Sequence, residues 1–416
     1  MEASQVESLT LETAIAQIST LARPEGAEAL PLARCPGRVL AETVVADEPV
    51  PAHASSAMDG FAFRHEDFRS GSSAAGRPGR RLPIQGRVAA GHPLDEDLWL
   101  GHAVRIFTGG MMPAGADTVA KQEDCVSDGF FVELPPGIDA GANCRGAGDD
   151  MTPGTRVLLP GVRLRPQDIG VAAAVGRDSL SVHRRLRVGL ATTGDELRAP
   201  GEVLPPGCVR DSNRHTIGAA LRSLGAEVTD YGILRDDRAL IRTTLDKAAG
   251  ENDLVLSTGG VSVGDEDHVR PAVQDIGSLA FWRLPIKPGR PVAVGDIAGT
   301  PFVGLPGNPV SVLIAFWLIG RPLLLHLAGA TDLSVARFPA RADFDHRHGP
   351  GRREFLRGRF RLDETGSARV AAYRSSSSGM LTSLTWSDGL VEIHEGTGDV
   401  HAGDLVSFIP YSELLS

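Results

Sequence analysis

The chain has 416 residues, with 42 Lys and Arg against 52 Asp and Glu, a formal net charge of -10. At roughly 100–200 residues per domain, the length predicts two to four domains. With 42% hydrophobic and 23% charged residues the chain is not wholly disordered, and its acidic balance argues against nucleic-acid binding as the main task.

Glycine (49) and proline (28) are abundant and aromatics make up 5%, which favours turns and strand ends over a long helical bundle. Cys35, Cys125, Cys144 and Cys208 show no CxxC spacing, so neither a zinc ribbon nor a thioredoxin-type motif is expected. The first residues carry Glu2, Glu7 and Glu12 and lack the basic-then-apolar pattern of a secretion signal. A cytoplasmic location is expected. The longest apolar run, Val312 to Gly320, is followed by Arg321 and Pro322. A membrane helix needs about 20 such residues, so this run predicts a buried core helix and no membrane partner.

In chain order, Leu11, Ala14, Ile15, Ile18 and Leu21 recur at helical spacing behind Thr10, a suitable cap. Residues 38–50 read as a strand. From 51 to 149, short apolar runs alternate with glycines, which predicts a small β domain inserted in the chain. Its Gly/Ser/Arg-rich stretch from Phe68 to Arg81 reads as a mobile loop. Strands and helices alternate over 185–330, with strands at 185–192, 226–229 and 253–257. Helices are predicted after Ser212 or Asn213, after Asp236 or Asp237, and from about His268. This pattern predicts a parallel sheet covered on both faces, with ligands beyond the carboxyl ends of its strands. After about 332 only strand patterns remain, at 353–357, 370–373, 389–393 and 404–408, which predicts a C-terminal β domain.

The strongest chemical signal is Leu256 to Asp267, where an apolar strand runs into Gly259-Gly260 and then Asp265-Glu266-Asp267. N–H groups in such a turn favour phosphate. Acids beside an anion site call for a cation, and magnesium suits one or two carboxylates combined with substrate phosphate. The plainer alternative is a Gly-rich turn before an acidic helix cap. The turns Thr193 to Leu197 and Arg235 to Asp237 fall on the same sheet edge, so Glu196, Asp236 and Asp267 are expected to converge there. By itself Asp236 is an ordinary helix cap. Trp282 to Pro291 alternates Arg283, Lys287 and Arg290 with prolines, a stiff cationic loop suited to oxyanions or else an exposed basic loop. Leu305 to Ser311, LPGNPVS, is a strand–turn–helix start.

Together SAMDGFA (Ser56 to Ala62), RIFTGGMMPAGADTV (Arg105 to Val119), TGDEL (193–197), DSN (211–213), STGGVSVGDED (257–267), IKPGRP (286–291) and LPGNPVS resemble the molybdopterin molybdenumtransferase family, MoeA and the gephyrin E domain. The resemblance covers nearly the whole chain. It implies insertion of molybdate into adenylylated molybdopterin with release of AMP, in a magnesium-dependent step. It also implies an elongated homodimer with four parts. These are a linker domain at 1–50 and 150–182 that includes the N-terminal helix, an inserted β domain at 51–149, a MogA-like three-layer α/β domain at 183–331, and a C-terminal β-barrel at 332–416. Carried over by motif, the functional residues are Asp59, Thr108, Arg145, Asp150, Glu196, Asp236, Asp267, Lys287, Pro306 and Pro309. On this reading Gly259 and Gly260 face phosphate, Glu196, Asp236 and Asp267 hold magnesium, and Lys287 with Arg283 attracts molybdate. The inserted domain of one subunit completes the α/β pocket of the other. A molybdopterin adenylyltransferase and recipient molybdoenzymes become candidate partners.

The chain departs from the family's usual pattern at Arg283 and Arg290, where lysine is common, at Gly109 to Met112, and at Gly146 to Asp150. The rival reading is a gephyrin-type scaffold that grips partner peptides and keeps a relict site. Two further signals are read as structural. His346-Arg347-His348 is expected to be a solvated turn rather than a metal pair, and Arg352, Arg353, Arg357, Arg359 and Arg361 a solvated strand face.

Overall fold

A computed structural model describes residues 10–21, 23, 26–69, 80–261 and 268–415, with the backbone alone at 280–283. The chain divides into two compact units, one of residues 43–159 and 166–178, the other of residues 1–42, 160–165 and 179–416. The segments expected to form a linker domain are thus shared between both units.

The smaller unit is built on a six-stranded sheet in the order Thr118–Lys121, Gly60–Phe63, Ala103–Ile106, Arg80–Val88, Phe131–Leu134 and Val126–Ser127. Side-chain alternation splits its apolar residues between two clusters. Phe61, Phe63, Leu82 and Val132 form one, and Ala62, Val88, Val104 and Ile106 the other. Of the expected loop at 68–81, residues 70–79 lie outside the described residues, while Arg80 already begins a nine-residue strand. The strand expected at 38–50 is not continuous. Val39 and Leu40 bridge to different partners, Arg163 and Val182; further on Val44–Val45 pairs as a short strand and Val50 bridges to Met151.

In the larger unit the central sheet runs Glu227–Leu234, Arg187–Thr193, Leu254–Thr258, Thr300–Leu305, Pro291–Ile297 and Gly277–Arg283. The first four strands are parallel, as the alternating pattern predicted. The fifth is reversed. Pro291–Ile297 lies antiparallel to both of its neighbours. The cause is the turn at Ala298-Gly299, where both residues have positive φ (49° and 90°), the geometry of a tight hairpin too short for a crossover.

Helices cover both faces. Leu11–Ile18, Asn213–Ser223 and the helix from Pro309 pack on the side of Leu190, Leu256 and Val303. Arg238–Glu251 and Val269–Ile276 pack on the side of Ala191, Val255 and Phe302. Every residue of Leu254–Thr258 is buried, as a strand covered on both faces requires. Pro309–Leu327 is apolar and long enough to cross a membrane, yet it is buried along its length and forms the centre of this core.

The C-terminal strands close into a ring in which Phe338–Ala342, Ala368–Ala372, Arg353–Leu362, Gly389–Ile393 and Leu405–Pro410 each pair with the next, and the last returns to the first. This five-stranded barrel has its own core around Leu356, Val370, Val391 and Phe408. The solvated readings hold for Arg347, Arg352, Arg359 and Arg361, which are exposed, and fail for the rest. Arg353 and Arg357 are buried, and only the outer half of their strand is exposed. Arg353 reaches Glu392 and Glu395, while Arg357 bonds the Ser383 hydroxyl and the carbonyls of Ser375 and Ser377. His348 is also buried, its ring nitrogens beside the carbonyls of Thr397 and Arg352. Burial of such polar groups is offset only by partners of this kind.

Candidate active site

Parallel strands deliver their carboxyl ends to one sheet edge, and the turns that follow them build a cleft of about 320 Å³. Thr193 ends the first of these strands in sequence and Glu196 lies in the turn after it, Asp236 in the turn after the next, Gly259 and Gly260 after the third, and Pro306 after the fourth. Asn213, the first residue of its helix, completes the wall.

The turns are tied to each other. The Gly194 N–H donates to the Leu234 carbonyl at 3.1 Å, and the Gly259 N–H to the Leu305 carbonyl at 3.0 Å. Asp195 and Asp236 clasp reciprocally, each backbone N–H donating to the other's carboxylate at 3.1 and 3.3 Å. The Thr192 and Thr258 hydroxyls meet at 2.9 Å beneath them. Glycine is required at the centre. Gly259 and Gly260 have φ of +83° and +63°, and a Cβ on Gly259 would sit 2.6 Å from the Thr193 carbonyl oxygen. The resulting surface offers backbone and two carboxylates, Glu196 exposed and Asp236 half-buried.

Five sequence-predicted residues therefore meet here: Glu196, Asp236, Gly259, Gly260 and Pro306. Pro309 opens the following helix just behind them. Lys287 is not part of this wall. Its short strand, Ile286–Lys287, lies beside Arg353–Leu362 of the barrel, and its ammonium donates to Glu354 at 3.0 Å. Burial would raise the Glu354 carboxyl, but the bonds from Lys287 and His346 outweigh it and hold its pKa below the ordinary value. Arg283 ends its strand opposite Pro291, which lines the cleft; nothing is described of the Arg283 side chain. Asp267, with Asp265 and Glu266, lies outside the described residues. Among the described residues no group of three or more His, Cys, Asp or Glu is arranged to hold a metal.

The remaining predicted residues belong to the smaller unit. Asp59 Oδ1 accepts from the Thr108 N–H at 2.9 Å and the Thr108 hydroxyl at 2.7 Å. These bonds, the N–H first, hold the Asp59 carboxyl below its ordinary pKa. Cys144–Arg145 pairs with Ser55–Ser56, and Ser56 in turn bonds Gly109 and Gly110. Asp59, Thr108 and Arg145 thus sit on three segments stitched together. Asp150 lies apart from this knot, exposed, its N–H on the Val50 carbonyl.

Two cleft residues were not singled out from sequence as site groups. Thr193 belongs to the TGDEL stretch and Asn213 to DSN, where Asn213 reads as a helix cap. Only the fold shows that both side chains are buried in the cleft wall, each with an oxygen that has no partner among the described residues.

A three-layer α/β domain with a glycine-lined cleft at its sheet edge, preceded in the chain by a β domain and followed by a β-barrel, defines a multidomain α/β protein with an anion-suited site. Models of the MoeA N-terminal region (domain I and II), a probable molybdopterin binding domain, and the MoeA C-terminal region (domain IV) match residues 9–176, 189–326 and 339–411. The chain is 34% identical to the molybdopterin molybdenumtransferase of Haemophilus influenzae over 98% of this chain and 100% of that protein. It is 33% identical to that of a Nostoc species, covering 88% and 85%. A crystal structure of a molybdopterin biosynthesis MoeA protein from Pyrococcus horikoshii superposes with a TM-score of 0.82 at 30% identity, covering 97% and 100%. The chain belongs to the molybdopterin molybdenumtransferase (MoeA) family, the transferases of molybdenum cofactor biosynthesis.

Proposed function

We propose that this protein transfers molybdenum from molybdate to adenylylated molybdopterin with release of AMP, in a magnesium-dependent step in the cytoplasm. The observation that carries this reading is the convergence of Glu196, Asp236, Gly259, Gly260 and Pro306 on one cleft. With the Gly259 N–H committed to Leu305, the close backbone approach that Gly259 and Gly260 allow is what suits the phosphates of such a substrate. The two carboxylates, Glu196 and Asp236, fit magnesium, which is held by one or two carboxylates together with substrate phosphate oxygens. Asp267 is the third acid assigned to it. Bound there, the ion would polarise the phosphoanhydride. The chain's own residues bind and orient. The Asp195–Asp236 clasp fixes the carboxylate edge, and the Gly259 turn brings backbone close to the anionic group. Lys287 and Arg283 supply positive charge for the oxyanion.

We further propose a homodimer in which Asp59, Thr108 and Arg145 of one chain serve the α/β pocket of its partner. An adenylyltransferase would supply the substrate and molybdoenzymes would take the product. The decisive experiment supplies purified protein with adenylylated molybdopterin, molybdate and magnesium and measures AMP. Release that requires all three supports the reading; a well-folded protein that releases none refutes it.

A further inference from the structure

On the sheet of the smaller unit two arginines stand side by side with no acid between them. Phe61 pairs with Arg105 across antiparallel strands, and Arg105 pairs in turn with Arg87 on the strand beyond. The three side chains form one row on one face. Phe107, two residues past Arg105, shares that face, and both guanidinium carbons lie 4.6 Å from its ring centroid. The Arg105 guanidinium also lies 5.1 Å from the Phe61 ring centroid. Like charges paired across neighbouring strands are destabilising. Stacking on a shared ring offsets part of that repulsion and holds both planar groups in place.

No carboxylate neutralises the pair. Arg105 donates to the Gly60 carbonyl at 2.9 Å and to the Gln122 side-chain oxygen, both neutral acceptors. Among the described residues neither Arg87 nor Arg105 has a carboxylate within ion-pair distance. Asp59 feels the Arg105 charge, but its Oδ1 accepts two bonds from Thr108. Glu123 and Asp124 are exposed and bond neither arginine. Cys125, beside the row, is a neutral thiol, because burial pushes its pKa up to about 11. The two guanidinium groups thus keep N–H donors and an uncompensated double positive charge.

The row opens on a hollow of about 590 Å³, walled by Phe61, Ile84, Arg87, Arg105 and Cys125. Hollows of roughly 300–1,000 Å³ hold small organic molecules. A bare tetrahedral anion would fill only a fraction of this one. We propose that the hollow binds an organic phosphate monoester, its dianionic head on the N–H groups of Arg87 and Arg105 and a flat or apolar body over Phe61 and Ile84. The site belongs to the smaller unit, and nothing in this assignment depends on the cleft of the larger one.

The test titrates the full chain and its Arg87→Gln and Arg87→Lys variants with phenyl phosphate and with inorganic phosphate, and follows thermal unfolding with and without each. Arg87 is exposed, so neither substitution disturbs the core. Phenyl phosphate should bind the parent about tenfold or more tighter than inorganic phosphate and raise its melting temperature. Arg87→Gln should lose about tenfold or more of that affinity, and with it most of the ligand-dependent rise in melting temperature. Arg87→Lys should recover only part of the affinity, since an ammonium keeps the charge but not the planar fork of N–H groups. An arginine that merely packs on Phe107 would change the melting temperature of the free protein and leave phenyl phosphate binding untouched. No binding of phenyl phosphate to the parent, equal binding by parent and Arg87→Gln, or inorganic phosphate binding as tightly as phenyl phosphate overturns the proposal.

Discussion

Lys287 Nζ lies 3.0 Å from Glu354 Oε1, and the other oxygen of that carboxylate lies 2.8 Å from His346 Nε2. This joins the cationic loop that precedes Pro291 to the wall of the C-terminal barrel. Glu354 is nearly enclosed, its side chain 5% exposed, whereas Lys287 keeps 43% exposure. The ammonium is thus aimed by a fixed partner while remaining open to an incoming oxyanion.

The Glu354 linkage predicts an acid limit. Its folded pKa is lowered. Its contribution is therefore complete above the unfolded glutamate value, about 4.3, and is lost as pH falls through the depressed folded value. Glu354→Gln should flatten the loss of thermal stability below about pH 4 relative to the parent. Parallel pH–melting curves for the two proteins would remove Glu354 from the explanation. In the same preparation, Lys287→Ala should raise the molybdate concentration needed for AMP release more than it weakens nucleotide binding. Lost nucleotide affinity with an unaltered molybdate response would make Lys287 a phosphate contact instead.

The cleft carboxylates give a second prediction. Asp236→Asn and Glu196→Gln keep size and remove charge beside the proposed cation. Each should lower AMP release by roughly 10² or more, and raise the magnesium concentration for half-maximal rate, because an electrostatic interaction in a shaped site is lost. Melting temperatures should move little, since Glu196 is exposed and Asp236 half-buried. Parent-like rates at ordinary magnesium would end the assignment.

The Gly259 turn gives a third. Alanine there meets a φ of +83° and the Thr193 carbonyl at 2.6 Å. Either the Thr193 or the Gly259 backbone must shift, and both shape the cleft. Gly259→Ala should destabilise the protein by about 1–3 kcal/mol and weaken AMP binding. Denaturant unfolding and calorimetric titration on one sample decide the matter; an alanine variant matching the parent in both would show that the turn has room.

These cases show what the sequence displays and what it hides. Glu196, Asp236 and Gly259 were legible because the alternation of strands and helices places βα turns on one edge of a parallel sheet. The helix after Asp237 was legible in the same way, since the Asp237 side chain does accept the Leu240 N–H. The antiparallel strand at Pro291–Ile297 was not, because hydrophobic pattern carries no direction and the deciding feature is the conformation of Ala298-Gly299. Lys287 looked like a free cation because Glu354 lies 67 residues away along the chain. Asn213 looked like a helix cap. The structure gives that bond to Asp211 and leaves the Asn213 oxygen in the cleft wall with no partner among the described residues.

The proposed dimer yields the last prediction. Asp59 and Thr108 are bonded to each other and exposed enough to meet a ligand, with the Arg105 charge also acting on the Asp59 carboxylate. A tight turn that merely supports its domain would account for the same contact. Subunit mixing separates the two readings. Inactive Asp59→Ala and inactive Asp236→Ala proteins are prepared with distinguishable tags, exchanged, and assayed for AMP release. In a two-fold dimer each cross-chain contact occurs twice. If the pocket of one chain uses Asp59 of the other, a mixed dimer has one pocket with both lesions and one with neither. About half of the sites in mixed dimers then work, which is about a quarter of all sites under random pairing of equal amounts. If each pocket uses residues of a single chain, every pocket carries one lesion. Activity then stays at the level of the separate variants despite exchange verified by tag capture, and the shared pocket is wrong.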